Sequence, residues 1–296
     1  MPLSMPDHLL VVYCPHGSGI GMNLVLFERG ELAANFPCGP DRVSVPGLLS
    51  RRDRRAEHLL KVLRKKQGDG FDAGIVDGKL GTGIITKIDT DGVHFSLDLD
   101  TEPPERIPIR LAVGFSRPIQ LRRLFRDCAS LGLTAIDLIG TELGEKSYRD
   151  TKLLGDGGAR RALIEGASQA RDTRLPCLAV HSDLAAWLKA RPWETSAGTA
   201  AGAGAAAGTA AAVYTAGALL TAADNVQPAG SFSGLGKAGA AGAVLAVGSE
   251  RGWSGREREL LDRTGFSRLS LGSRALRTET ACVAAAVLLM EKIGCL

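Results

Sequence analysis

From residue 109 onward the chain repeatedly exchanges a short apolar run for an amphipathic helical stretch, and few folds accept that rhythm. "IRLAVGFS" is followed by the helical pattern "LRRLFRDCASLG", "AIDLIGTE" by a polar stretch and "ARRALIEGASQAR", and "PCLAVH" by the short helical "DLAAWLKA". Strands that alternate with helices pair in parallel, because each helix carries the chain back across the sheet face. The fold class expected is therefore α/β with a mostly parallel sheet. Just upstream, "DTEPPERIP" at residues 100–108 holds three prolines and reads as a linker. The boundary expected near residue 105 leaves residues 105–296 as the α/β unit.

Residues 22–104 follow a different pattern, with short strands around one helix. The Asp77-Gly78 and Asp91-Gly92 pairs are hairpin signals between alternating apolar residues. In the helical stretch, Ala56, Leu59, Leu60 and Leu63 recur on one side and Arg54, His58, Lys61 and Lys65 on the other. A small β-barrel with one inserted helix is expected. Residues 51–66 carry eight Lys or Arg against Asp53 and Glu57, about +6, while the whole chain is only +4. A basic stripe on an otherwise balanced protein is an electrostatic footprint for polyanions, although a merely solvated helix face reads the same way.

Several readings are disfavoured. "GSGIG" at residues 17–21 lacks the following helix that a dinucleotide loop needs, since "MNLVLFERGEL" alternates like a strand. Residues 1–21 are expected to be a poorly ordered extension ahead of Met22, and "HLLVVYC" has no Lys or Arg before it as a signal peptide would. The uncharged stretch at 195–223 is too rich in Ala, Gly and Thr for a membrane span. Its residues 196–215 read as a flexible or loosely helical insertion, and the embedded "GAGAAAG" is weak as a phosphate loop. Cys14, Cys38, Cys128, Cys177, Cys282 and Cys295 form no CxxC pair and none stands near a histidine at ligand spacing. Reduced thiols in a cytoplasmic protein, with no metal, are expected.

Two strand-loop-helix junctions lie near the end of the chain. "AVLAVGSERGWSGRERELL" turns at residues 248–252 before a helix that Ser254 can cap, and "RLSLGSRALRTETA" turns at Gly272 before a helix from about Thr278. Ligands bind at such junctions in open α/β sheets. The alternative is that Gly248 and Gly272 only permit tight turns while Thr278 or Thr280 caps the last helix.

These two segments resemble a known family, the RsmE family of SPOUT-class RNA methyltransferases. Its signature is a Gly-Pro-Glu-Gly-Gly turn followed by Leu-Gly-x-Arg-x-Leu-Arg-x-Glu-Thr-Ala. Here the turn is Gly248-Ser249-Glu250-Arg251-Gly252, and the second motif runs from Leu271-Gly272-Ser273-Arg274 through Leu276-Arg277 to Glu279-Thr280-Ala281. "HLLKVLRKKQGD" is similar to the family's N-terminal PUA-like barrel, and Gln169, Arg174 and Pro176 match as well. The chain departs from the pattern at Ser249, Arg251, Asp127, Ser130 and Ser168, which marks a divergent branch or a relative acting on another uridine.

The resemblance implies a C-terminal α/β domain with a trefoil knot, an exception to unthreaded topology, and a small N-terminal PUA-like barrel. It implies S-adenosylmethionine bound over Ala223 and Asp224, over Gly248, Ser249 and Glu250, and over Leu271, Gly272, Ser273 and Leu276. It implies methylation of uridine N3 in 16S ribosomal RNA of the small subunit, by a homodimer in the cytoplasm that needs no membrane. The last helix offers Val283, Val287 and Met290 as one face for that dimer or for the core. A cation near uridine O2 or O4, a proton acceptor, or both are needed, and Arg277 is the expected cation. Glu279 or Glu250 accepts the proton or serves as a structural carboxylate. Arg54, Arg55, Lys61, Arg64 and Lys65 would grip RNA phosphates. The alternative is a catalytically silent RNA-binding or ribosome-assembly protein of the same fold.

Overall fold

Backbone pairing sorts the strands into two sheets with different polarity. The computed structural model describes residues 24–32, 45–194, 217–237 and 241–296. The expected N-terminal extension and most of the Ala/Gly-rich insertion lie outside the described residues.

The first sheet comprises β1 (Val25–Phe27), β2 (Val45–Ser50), β3 (Gly70–Ile75), β4 (Leu80–Ile88) and β5 (Gly92–Thr101), in the order β1-β3-β4-β5-β2. Both expected hairpins form: β3 and β4 are antiparallel across Asp77, whose φ is +55°, and β4 and β5 across Gly92. Register shifts in the β4–β5 ladder bend the sheet around a single core. There Phe27 and Phe71 pack on Phe95 with ring centroids 4.8 and 6.0 Å apart. Gly47 sits opposite Phe95 in the ladder, and a Cβ there would lie 2.2 Å from the ring, so the glycine is what admits the aromatic.

The expected helix is shorter and differently wound. A single α turn, α1 (Arg54–Glu57), is capped by Asp53 and runs into a wide π turn over His58–Val62, where Leu63 donates to the carbonyl of His58. Ala56 and Leu59 are fully buried while Leu60 and Leu63 are only partly so. Arg64 adopts a left-handed φ of +51°, so Arg64 and Lys65 lie past the helix end rather than along its face.

The second sheet contains β6 (Ile107–Gly114), β7 (Leu133–Ile139), β8 (Cys177–His181), β9 (Leu219–Ala223), β10 (Gly230–Ser231), β11 (Ala243–Val247) and β12 (Ser267–Ser270). Every pair is parallel and the order is β10-β12-β9-β11-β6-β7-β8. The helices are α2 (Pro118–Ser130), the short α3 (Lys152–Gly155), α4 (Gly158–Gln169), α5 (Leu184–Ala190), α6 (Gly255–Arg263) and α7 (Thr278–Lys292). Ile109, Leu111 and Val113 of β6 pack with α2, α4 and α7 on one face. Ala112, Val244 and Ala246 pack with α5, α6 and three tryptophans, Trp187, Trp193 and Trp253, on the other. A sheet covered on both faces needs apolar residues at consecutive positions, and β11 is buried throughout. The last strand, β12, lies between β9 and β10 although both precede it in the chain.

The last helix does not present its expected face whole. Met290 belongs to the core with Cys282, Ala285, Ala286 and Leu289, and Val287 points outward. At 100° per residue, Met290 lies about 60° from Val287 but only about 40° from Ala286 around the helix, so the core claims it.

The two sheets are joined by packing and by hydrogen bonds. Leu24, Leu26 and Val76 enter the core of the second sheet. The Leu24 amide donates to the Ser168 carbonyl at 3.0 Å, and the Ser168 hydroxyl donates to the Leu24 carbonyl. Asp77 donates its amide to Thr173 and accepts from the Leu175 amide, while Arg160 forms a two-pronged ion pair with Glu28. Among the described residues no helix is long and apolar enough to cross a membrane, and no cluster could hold a metal ion.

Under α5 the fully buried Asp137 accepts from Arg110 Nε at 2.7 Å and from Trp187 Nε1 at 2.8 Å, with His181 Nε2 3.6 Å away. Burial pushes the carboxyl's pKa up, but His181, Arg110 and Trp187 more than offset it, and the pKa lies below the ordinary carboxylate range. Asp137→Ala strands the Arg110 charge and is expected to cost about 3–5 kcal/mol in urea unfolding. Because the native pKa is depressed, this contribution is complete above about pH 4 and disappears as pH falls through the native value. The gap between wild type and variant should therefore close on acidification.

Candidate active site

Parallel strands deliver all their C-terminal ends to one edge, so the loops after β6, β7, β9, β11 and β12 emerge side by side. The three loops expected to hold a cofactor follow β9, β11 and β12, and the strand order places β12, β9 and β11 as direct neighbours. Ala223, Gly248 and Leu271 are thus brought together by the ladder itself.

The turn after β11 is close-packed. The Gly252 amide donates to the Ser249 carbonyl at 2.8 Å with Gly252 at φ +72°, and Ser249 is buried. A Cβ on Gly114 at the end of β6 would lie 2.5 Å from the Ser249 nitrogen, and one on Gly248 would lie 2.8 Å from the Gly252 carbonyl carbon. The next residue, Trp253, is buried and donates Nε1 to the Ala223 carbonyl at 3.1 Å, tying the β11 loop to the end of β9. Ser254 caps α6 as expected, in a reciprocal box with Glu257. The buried Glu257 carboxylate also accepts from the Glu142 amide at 2.9 Å, which fixes the loop after β7 to the same point.

The Asp224 side chain is taken up within the protein. Its buried carboxylate accepts from Arg258 Nε at 2.7 Å, Arg268 Nη1 at 3.0 Å and the Val226 amide at 3.2 Å. Burial raises its pKa, but the bonds from Arg258, Val226 and Arg268 win and hold it below the ordinary range. With its amide donated to Leu269 as well, Asp224 anchors the β9 loop to α6 and β12 and leaves no free side-chain oxygen lone pairs aimed at a ligand. The arginines that consume it are distant in sequence, which hid this role.

The loop after β12 is open by contrast. Gly272 sits at φ +112°, its amide donates to Ser270 Oγ at 3.0 Å, and a Cβ there would touch nothing. Residues 272–277 are exposed, including the apolar Leu276 at 40%. Main-chain groups facing open space beside the packed β9 and β11 loops fit a ligand recognised through backbone amides and carbonyls. Neither the Arg274 nor the Arg277 guanidinium has a hydrogen-bond or ion-pair partner among the described residues, and Arg277 is bonded only through its carbonyl, which accepts from the Ala281 amide.

The start of α7 corrects the capping expectation. Arg277 is the N-cap residue, and no side chain caps the helix. Thr278 is already helical and its side chain is buried, so its hydroxyl does not reach back to the first amides. Glu279 is half-buried beside α2, where its charge adds to burial in raising the pKa of Asp127. Glu250 is exposed, with Oε1 3.9 Å from Arg117 Nε, and Arg117 Nε donates to the Tyr148 hydroxyl at 3.1 Å. Arg117 and Tyr148 follow β6 and β7 and carried no motif that would have singled them out.

The basic stretch near α1 is mostly free. Arg54 and Arg64 are exposed, Lys65 is partly exposed, and Lys61 pairs only with the exposed Glu57 at 2.6 Å. Arg55 is the exception. It pairs with Asp53 and Glu31 at 2.7 Å each, donates to the Leu26 carbonyl, and lies 5.2 Å from the centre of the Phe27 ring. Burial works against its charge, yet the bonds to Asp53 and Glu31 raise its pKa overall, so Arg55 braces the sheet rather than facing a polyanion.

Known proteins share both parts. The family model for an RNA methyltransferase domain matches residues 103–290, and that for an RNA methyltransferase PUA domain matches residues 52–98. A protein of Treponema pallidum named ribosomal RNA small subunit methyltransferase E is 36% identical over 273 residues, covering 90% of this chain and 91% of the relative. A probable rRNA methyltransferase from Porphyromonas gingivalis has a similar fold, with TM-score 0.63 at 20% identity over 92% of this chain and 99% of its own. So does a ribosomal RNA small subunit methyltransferase E from Neisseria gonorrhoeae bound to S-adenosyl methionine, with TM-score 0.61 at 18% identity over 91% and 97% of the two chains.

The packing of Gly114 against the β11 turn gives a test. Gly114→Ala overpacks backbone against backbone at a cost of about 1–3 kcal/mol. Calorimetry should find S-adenosylmethionine binding weakened by about tenfold or more, with cooperative unfolding retained. Unchanged affinity would remove the β11 turn from the cofactor site.

Proposed function

The chain belongs to the RNA methyltransferase family, and from that premise we propose that it methylates N3 of a uridine in the 16S RNA of the small ribosomal subunit, with S-adenosylmethionine as donor. The observation that carries this reading is the junction of three neighbouring loops, two packed and one open, with the unpartnered Arg277 guanidinium at its rim. We take residues 22–104 as the RNA-gripping unit and 105–296 as the transfer unit.

The main chain of Ala223, Gly248, Ser249, Glu250, Leu271, Gly272, Ser273 and Leu276 would hold S-adenosylmethionine, with Asp224 bracing the floor from below. When bound, this cofactor supplies an electrophilic methyl group. The chain's own residues must then align the base, since positioning is the larger part of an in-line displacement. Uridine N3 is a neutral imide that has to lose its proton, and negative charge grows on O2 and O4. Arg277 has no competing carboxylate among the described residues and donates to that oxygen. Glu279 likewise has no cationic partner among them and accepts the N3 proton, whereas Glu250 is already attracted to Arg117.

The departure at Ser249 gives little support to a silent relative, because the turn is closed by its own Ser249–Gly252 hydrogen bond without the family's proline. Arg54, Lys61, Arg64 and Lys65 grip RNA phosphates. A homodimer is favoured by the apolar side chains left uncovered at this end of the chain, Val287 on the outer side of α7 and Leu276 ahead of it. The cytoplasm is the compartment that holds such a substrate.

Arg277→Ala should keep S-adenosylmethionine affinity and lower kcat for methyl transfer to small-subunit rRNA by about 10²–10³-fold; unchanged turnover would remove Arg277 from the mechanism. Glu279→Gln should lose far more turnover than Glu250→Gln, and the reverse order would exchange their roles. Mapping N3-methyluridine in rRNA from a deletion strain, with and without complementation, tests the reaction itself.

A further inference from the structure

A cleft of about 690 Å³ opens between the start of α2, the residues leading into α3 and the start of α4. We infer that this cleft seats one nucleotide of the RNA strand next to the target base, its phosphate held by Lys152 and Arg161 and its base laid on Ile119 and Leu153. The inference rests on the reading of the substrate as RNA and extends it to a residue-level contact outside the cofactor loops.

Position comes first. The cleft is lined by Pro118 and Ser147, the chain neighbours of Arg117 and Tyr148. Arg117 bonds Tyr148 and reaches towards Glu250 on the β11 turn at 3.9 Å. The cleft therefore starts beside the Arg117–Tyr148 pair, which itself reaches towards the β11 turn, so a strand whose target base lies at that turn has its neighbouring nucleotide within reach of the cleft.

The lining chemistry has two halves. On one side Lys152 is exposed and has no partner among the described residues, and Arg161 gives one N–H to the Asp156 carbonyl. The α4 helix starts beside them at Gly158 with no side-chain cap, so its first amides add partial positive charge. Arg122, which also lines the cleft, is held by Glu165 at 2.9 Å and is committed to that carboxylate. On the other side Ile119 is 61% exposed, and Leu153 and Pro118 continue its apolar surface.

Asp150 and Asp156 line the cleft too. Two carboxylates argue against a bare phosphate or a polyphosphate, while a nucleotide uses them, because exocyclic amino groups and the 2′-hydroxyl donate hydrogen bonds. The volume falls within the range of about 300–1,000 Å³ common to small-ligand sites. A single-stranded nucleotide unstacked from its neighbours presents this combination of an apolar face, polar edges and one negative charge.

The test uses full-length protein and protein-free 16S rRNA. Lys152→Ala and the Lys152→Ala/Arg161→Ala double variant should raise KM for rRNA about tenfold and more, with kcat and S-adenosylmethionine affinity retained. In filter binding without cofactor, the slope of log affinity against log salt should fall by about 0.7 for each phosphate no longer neutralised. Lys152→Arg should restore both. Wild-type KM and slope in the double variant would overturn the inference even if methylation proceeds normally. If the wild type binds rRNA but transfers no methyl group, while the variants still lose affinity and slope, the cleft stands and the methyltransferase reading falls.

Discussion

Parallel strand pairing is the constraint on which the rest of this molecule depends. Once β12, β9, β11 and β6 lie side by side in one direction, their following loops share an edge whatever those loops contain. The site is then built by joining the loops to each other. Trp253 reaches from the β11 loop to the Ala223 carbonyl, Asp224 holds the β9 loop to α6 and β12 through Arg258 and Arg268, and Glu257 fixes the loop after β7. Each of these tethers has one buried partner, Trp253, Asp224 or Glu257, so each bond counts more than its fully exposed equivalent would.

Buried contacts of the same kind join the two sheets. Leu24 and Leu26 lie next to Val25 and Phe27 in the chain, yet the first pair enters the core of the second sheet and the second pair that of the first. This alternation is the strand period of two used on both faces at once. Ser168, which departs from the family pattern, bonds the Leu24 backbone and so takes part in that junction. The basic surface near α1 and the loop edge of the parallel sheet are thereby held together by packing between two cores, not by a loose linker.

Much of this was legible in the chain. The strand-helix alternation announced the parallel sheet, the Asp-Gly pairs announced both hairpins, and Ser254 with Glu257 announced the start of α6. The motif containing Arg277 led directly to the open loop. Local signals worked where local chemistry decides: turn residues, caps and periodicity act over four residues or fewer. They failed where a distant partner decides. Arg55 read as one more cation of a basic stripe until Asp53, Glu31 and the Phe27 ring surrounded it. Thr278 read as a cap until the core took its side chain, and the helical stripe at 54–65 was interrupted by a π turn that periodicity does not encode.

By itself, then, the sequence determined the class of fold, the order of its elements and the family motifs at two strand ends, because those follow from backbone preference and side-chain period. Only the tertiary structure decided which charges are paired and which are free. Asp224 is consumed by arginines remote in the chain and Arg55 by its neighbour Asp53 together with the remote Glu31, whereas the side chains of Arg277, Arg274 and Lys152 have no partner among the described residues. The physical reason is that a charge near others is defined by its neighbours in space, and a buried group must find a partner or lose its ionisation.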